Sequence, residues 1–353
     1  MSTTARRSVL TGALAGTVGT VGAVAVGARN APALPVLEPE DDFGQFLAAH
    51  RQVELRPTAT YVLPKPVEVP DGCVIIGNGA RVTVAGQDGA LRISGRRDVT
   101  IRDVRFVGQS SDPLGTDQVV GHVGVRITRS TNVRIVDCDF ENWRGAGVVA
   151  TGAAADDYFG YRVKLRGNSF VRCYFGVSTT DRSEYSVLSD CSFTYCRLAI
   201  WNSSGNWEIN NNDIVGCYGA YYSFNRTSPY GVAASDNWGH GSFVGNTANH
   251  SNGGAKALWS TGTAFGIGGV PSDPGHGVVV SGVLPPTFTA NTLWYTDITA
   301  ADLAGTRWLL SGCTLSNLTV TATGTIGIRI VGIQSNAAPT LIGNVKDALA
   351  NLY

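Results

Sequence analysis

Gly167-Asn168-Ser169-Phe170, Asp190-Cys191-Ser192-Phe193, Asn211-Asn212-Asp213-Ile214 and Gly245-Asn246-Thr247-Ala248 repeat one pattern. A small or turn-forming residue comes first, then Asn or Cys, then a short polar residue and an apolar one. Upstream, Asp103-Val104-Arg105-Phe106 and Asp137-Cys138-Asp139-Phe140 fit it, and Gly312-Cys313-Thr314-Leu315 fits downstream. The continuation repeats as well: Cys173, Cys196 and Cys217 fall at the same offset, each followed by an apolar run containing Val177, Ile200 or Tyr221. Short β-branched runs and Asn/Gly turns, returning every 20 to 35 residues or so, are the mark of a solenoid of parallel strands.

Stacking explains the pattern. Each turn of such a solenoid lies about 4.8 Å above the last, so equivalent positions form columns. Cys173, Cys196 and Cys217 are expected in one interior column, and Cys138, Asn168, Cys191, Asn212 and Asn246 in another, with the amides bonding along the stack as Asn ladders do. A β-sandwich also has short strands, but it does not call for Cys at a fixed offset in successive units. The fold class expected is therefore all-β, a single-stranded right-handed parallel β-helix with a short N-terminal capping helix.

Composition narrows the partners. Apolar residues make up 43% of the 353, and formal net charge is zero with 15% charged. That balance argues for neither nucleic acid nor an anionic membrane as partner. Six of the seven Cys occupy ladder positions, where a free thiol behaves as a small hydrophobe. No C-x-x-C spacing suggests a metal.

At the N-terminus, Arg6-Arg7 precedes an uncharged Gly/Ala/Val-rich run, Val9 to Ala28, with Arg29 and Ala31-Pro32-Ala33 beyond it. This resembles a twin-arginine export signal, although Val-Leu-Thr departs from the usual residues after the pair. A membrane helix and a retained apolar anchor are the other readings of the segment. The division expected is 1–33 signal or anchor, 34–52 linker and capping helix (Phe43 to His50), 53–284 β-helix, and 285–353 further coils, a cap or an oligomerisation region. Val345 to Leu352 reads as a short amphipathic helix.

The strands from Val53 through Val84, with Gly72-Cys73-Val74-Ile75-Ile76-Gly77-Asn78-Gly79 among them, resemble the opening coils of the pectate-lyase-like superfamily. That resemblance implies the fold of polysaccharide lyases and hydrolases and of phage tailspikes, and by itself no activity. Alternation on the strand after the Cys column points Val177, Ile200, Tyr221 and Ala257 inward and Val149, Ser178, Trp201, Tyr222 and Leu258 outward. Trp201 beside Tyr222 would then form either a flat platform for sugar rings or ordinary surface aromatics covered by a loop. The loops closing that strand carry Asp156 and Asp157, then Asp181, Arg182 and Glu184, then Asp236 through His240. Two carboxylates about 5 Å or about 6.5–9.5 Å apart suit glycoside hydrolysis, and the same oxygens suit Ca²⁺. Asp and Glu also simply keep such loops soluble. Asp156-Asp157 and Gly239-His240-Gly241 resemble two of the four motifs of polygalacturonases; the other two are missing.

Three functions follow as expectations. One is an exported enzyme cleaving a polysaccharide, with Asp156, Asp157, Asp181 and Glu184 catalytic and Trp201, Tyr222, Arg182 and His240 binding substrate. The second is a trimeric tailspike or surface adhesin in a virion or cell-surface assembly, recognising host glycan. The third is a structural β-helix without catalysis.

Overall fold

A computed structural model describes residues 33–109, 118–152, 160–180, 182–224, 228–231, 240–251, 277–282, 284–303, 307–324 and 327–349. Leu34–Tyr353 form one compact unit. Nearly every described strand pairs in parallel with its counterpart one coil away, and the coils make a parallel β-helix with three faces. Face one contains Arg134–Val136, Lys164–Arg166, Ser186–Ser189, Trp207–Asn210 and Gly241–Val244. Face two contains Asp139–Glu141, Ser169–Val171, Ser192–Thr194, Asp213–Val215 and Thr247–Asn249. Face three contains Val123–Thr128, Ala146–Thr151, Phe175–Thr180, Leu198–Asn202, Gly219–Phe224 and Val278–Ser281.

Helix Phe43–Ala49 closes the first coil. Asp42 caps it, its carboxylate accepting from the Gln45 amide, and Phe43 and Leu47 are buried below. The helix thereby lays Phe43 and Leu47 over the first coil, as the end of a solenoid requires.

The first corner, between faces one and two, is built as the repeat implies. Asp103, Asp137, Gly167, Asp190, Asn211 and Gly245 all take positive φ, a conformation that Gly and the short polar side chains tolerate best. At Gly167 a Cβ would lie 2.3 Å from the Asp137 carboxylate, so a larger residue there would have to displace that side chain. The next residue turns inward and meets its counterparts above and below. Asn168 Oδ1 accepts from the Cys138 amide (2.9 Å) while its Nδ2 donates to the Ile135 carbonyl (2.9 Å). Asn212 accepts from the Cys191 amide (3.0 Å), and Asn246 accepts from both the backbone and side-chain nitrogens of Asn212 (2.9 Å each). Asn291 continues the column, accepting from the Asn246 amide at 2.9 Å.

Inside, side chains of one kind pile up. The rings of Phe106, Phe140, Phe170 and Phe193 stack with centroids 5.0, 5.0 and 4.8 Å apart and planes within 11°. Cys173, Cys196 and Cys217 occupy equivalent positions behind them, their thiols meeting the carbonyls of Phe140, Phe170 and Phe193 in turn (3.6, 3.5 and 3.8 Å). All seven cysteines are free and buried. Burial pushes the Cys138 and Cys191 thiols up to about 12, so they are protonated and unreactive at neutral pH.

Two strand assignments need correction. Val278 and Val279, not Ala257 and Leu258, stack on Tyr221 and Tyr222; residues 257 and 258 lie outside the described ones. Val345–Leu349 is a strand paired in parallel with Ile328–Val331, not a helix. The unpaired edge of the preceding coil supplies ladder partners that outweigh the helical spacing of the apolar residues. The coils from Thr287 onward continue the same sheets.

Asn246→Ala deprives two Asn212 donors and the Ile209 carbonyl of their partner. At about 1–3 kcal/mol for a buried group left unpaired, we expect a loss of about 3 kcal/mol in urea unfolding. His122 offers a second test. It is fully buried against Trp143 (4.7 Å), its Nδ1 accepting from the Arg144 amide (3.0 Å). Burial, assisted by the Arg144 charge and opposed by Asp88, lowers its pKa to about 4. The unfolded chain therefore binds this proton first as pH falls. Stability should be undiminished above about pH 6.5 and decline below it by up to about 1.4 kcal/mol per pH unit. In His122→Gln the slope between about pH 5 and 6.5 should be shallower than in the parent by this contribution.

Candidate functional site

The third corner, where face three returns to face one, gathers the sequence candidates that fall on described residues. Gly160–Tyr161 and Ser183–Glu184 make a short parallel ladder there, with Tyr161 opposite Glu184. Arg162, Tyr185 and Asn206 take positive φ in successive coils, and their backbones interlock. The Arg162 amide donates to the Tyr185 carbonyl (3.2 Å), and the Asn206 amide to the His240 carbonyl (2.6 Å).

Glu184 is only 1% exposed. Its Oε2 accepts from Asn206 Nδ2 (3.2 Å), and its carbonyl accepts from the Ser186 hydroxyl (2.8 Å). That hydroxyl accepts in turn from the Val163 amide (3.1 Å), and Trp207 Nε1 donates to the Ser183 carbonyl (2.8 Å). Glu184 thus ties one coil to the next. Behind it lies an interior polar rung: the Thr179 hydroxyl donates to Asn202 Oδ1 (2.7 Å), which also accepts from the Ser204 amide (3.1 Å). Arg182 and His240 are half-buried on the same corner; the Arg182 carbonyl accepts from the Gly160 amide (2.8 Å). Asp156, Asp157 and Asp181 lie outside the described residues. Among the described residues no group of three His, Cys, Asp or Glu side chains is placed to hold a metal, Ca²⁺ included.

Trp201 and Tyr222 do point away from the coil interior, in register with Val149, Ser178 and Val279. They are nevertheless 1% and 2% exposed, so they form no open sugar platform. Together with Val123, Ala146, Phe175, Leu198 and Tyr230 they build a second apolar layer outside face three. Phe175 meets Trp201 edge-on at 5.4 Å and Tyr230 at 6.2 Å. Residues 228–231 cross over this layer, with the Thr180 hydroxyl donating to the Gly231 carbonyl (3.3 Å) and Gln118 to the Tyr230 hydroxyl (3.4 Å). A covering segment from elsewhere in the chain leaves no trace in strand alternation, so the sequence does not decide whether these aromatics are bare or covered.

The open feature of this corner is one that carboxylate spacing does not reveal. Tyr185, Ser186, Val187, Asn206, Trp207, Glu208, Gly241 and Ser242 line a groove of about 420 Å³. Tyr185 stands 63% exposed at its rim. Gly241 keeps the floor low: a Cβ there would sit 2.5 Å from the Trp207 carbonyl oxygen. The only legible sign is that Tyr185 and Asn206 each precede a face-one strand, at the position of Arg162.

Comparison with known proteins decides the family. The model of the Adenovirus EB1 55K protein / large t-antigen family matches residues 34–223, more than half of the chain. The chain belongs to this family. The E1B 55 kDa protein of Human adenovirus B serotype 7 is 28% identical over 176 residues, 47% of this chain and 32% of that protein. Those of Human adenovirus F serotype 40 (29% over 174 residues, 46% and 32%) and Tree shrew adenovirus serotype 1 (26% over 141 residues, 39% and 33%) are similar to it as well. The matched region amounts to about a third of the length of these E1B 55 kDa proteins.

Solved structures share the fold alone. The catalytic domain of a GH87 alpha-1,3-glucanase, as an Asp-to-Ala variant in complex with nigerose, superposes with a TM-score of 0.53 at 11% identity, covering 92% of this chain and 69% of that one. The tailspike protein of E. coli bacteriophage HK620 gives 0.51 at 13% identity, covering 89% and 63%. Membership of the E1B 55K family overturns the expectation of a secreted protein that binds or cleaves polysaccharide, and equally that of a tailspike or glycan-recognising adhesin.

If Glu184 is the strut its contacts describe, Glu184→Gln should keep the fold, since an amide oxygen still accepts from Asn206. Glu184→Leu leaves that Asn206 donor unpaired and should lower stability by about 1–3 kcal/mol in thermal or urea unfolding.

Proposed function

We propose that the chain is a binding scaffold without catalysis of its own, and that the third-corner groove receives an extended segment of a protein partner. The observation that carries this reading is Tyr185, exposed at the rim of a groove whose walls are adjacent rungs of a rigid sheet. A large ring held on a fixed backbone is the kind of residue that dominates protein interfaces. Asn206, Ser186 and Ser242 add hydrogen-bonding groups, and Glu208 favours a basic residue in the partner. Glu184, the described member of the expected catalytic set, is engaged in holding coils together. The likeness to pectate-lyase-like proteins supports the scaffold and nothing more.

Panning the full chain against a random peptide display library tests the reading. Selected peptides should share an extended motif with a basic residue. Tyr185→Ala should weaken their binding at least about fivefold, and Glu208→Arg should change the residue selected. A library that yields no motif, or peptides indifferent to both substitutions, would overturn it.

A further inference from the structure

Formal net charge is zero, but the charges are not evenly placed. On face one, Thr100–Val107, Arg134–Val136 and Lys164–Arg166 lie on three successive coils, with Thr100, Arg134 and Lys164 in one outward column and Arg102, Val136 and Arg166 in the next. Four of these six outward residues are cations and none is an acid. Arg97 and Arg162, both exposed, extend the group around the third corner. Of the six cations, Arg166 pairs with an acid, Asp190, at 3.0 Å. Acids flank the group: Asp98, Asp103, Asp137 and Asp190 sit at the corners, and Asp71 accepts from the Arg97 amide at 2.7 Å. Glu54 and Glu208 stand in the same two outward columns, two coils before Arg102 and two coils beyond Lys164.

The arrangement is a plane. Arg134 and Lys164 stand about 4.8 Å apart up the stack, and Lys164 and Arg166 about 6.6 Å apart along a strand, so the group extends in two directions. A linear polyanion meets charges in single file, whereas a sheet of anionic headgroups meets a grid. Tyr161 and Tyr185, 39% and 63% exposed at the adjoining corner, are of the type that settles at headgroup level. We infer that this part of face one is a docking surface for an anionic lipid bilayer, gripping headgroup phosphates through Arg97, Arg102, Arg134, Arg162, Lys164 and Arg166. Binding of this kind, through surface charge, is peripheral and reversible. The surface shares Tyr185 with the peptide groove, but Arg134 and Lys164 lie outside that groove, so their substitution separates the two readings.

The test is co-sedimentation of the full chain with vesicles of phosphatidylcholine alone and of phosphatidylcholine with phosphatidylglycerol. The chain should partition onto the anionic vesicles only, and leave them as salt rises from about 0.1 M to about 1 M, where the Debye length shrinks from about 10 Å to about 3 Å. Each cation removed should cost about fivefold, so Arg134→Ser with Lys164→Ser should weaken partition roughly 25-fold. Arg329→Ser, an exposed change on the same face several coils away, should leave partition unchanged, and all variants should melt as the parent does. Equal binding to neutral vesicles, no binding, or a double variant that binds like the parent would overturn the inference. Retention of a single-stranded oligonucleotide through Arg134 and Lys164, with vesicles ignored, would overturn it in favour of nucleic acid.

Discussion

At every first corner the chain turns through a left-handed residue and drives the next backbone amide into the interior, where water cannot serve it. Each of these amides needs an acceptor from the coil above. Asn168, Asn212, Asn246 and Asn291 supply carboxamide oxygens, and the Cys191 thiol does so more weakly for the Asn168 amide (3.4 Å). The column therefore joins each coil to its successor at a fixed height. The phenylalanine stack, the thiol column and the alignment of all three corners follow from that registration.

Because the constraint repeats, much of the fold is legible before any coordinates. Like residues at like offsets mark Cys138, Asn168, Cys191, Asn212 and Asn246 as one line, and Cys173, Cys196 and Cys217 as another. Alternation along face three correctly separates Val177, Ile200 and Tyr221 from Ser178, Trp201 and Tyr222. Where the pattern thins, reading fails. Asn291 follows Ala290, a residue seldom found at positive φ, so its rung is hidden. Val345–Leu349 carries helical spacing that an open strand edge overrides.

The candidate site was harder to read, for a physical reason. Alternation tells which way a side chain points, but not what lies on top of it. Trp201 and Tyr222 point outward and are still buried, because Tyr230 and its neighbours return over them. Glu184, expected as a catalytic carboxyl, is likewise buried and contacts the next coil through Asn206. Arg197, buried between the Tyr174 and Tyr218 rings at 5.7 and 5.0 Å, belongs to the same lesson: the residue after each column Cys alternates cation and aromatic, a sign visible only once the coils are stacked. Function in this E1B 55K family member is accordingly sought in what the corners and flat faces leave open.

Register-specific cross-linking probes the stacking most directly. Ser169 and Ser192 are Cα partners on the outside of face two, and Thr194 lies two residues further along the second strand. A disulfide needs Cα atoms within about 7 Å. Neighbouring rungs are about 4.8 Å apart, while the offset pair is about 8 Å apart. Ser169→Cys with Ser192→Cys should close under mild oxidation in the native chain, and Ser169→Cys with Thr194→Cys should stay reduced. Closure of the offset pair in preference to the aligned one would contradict the stack of coils on which the account rests.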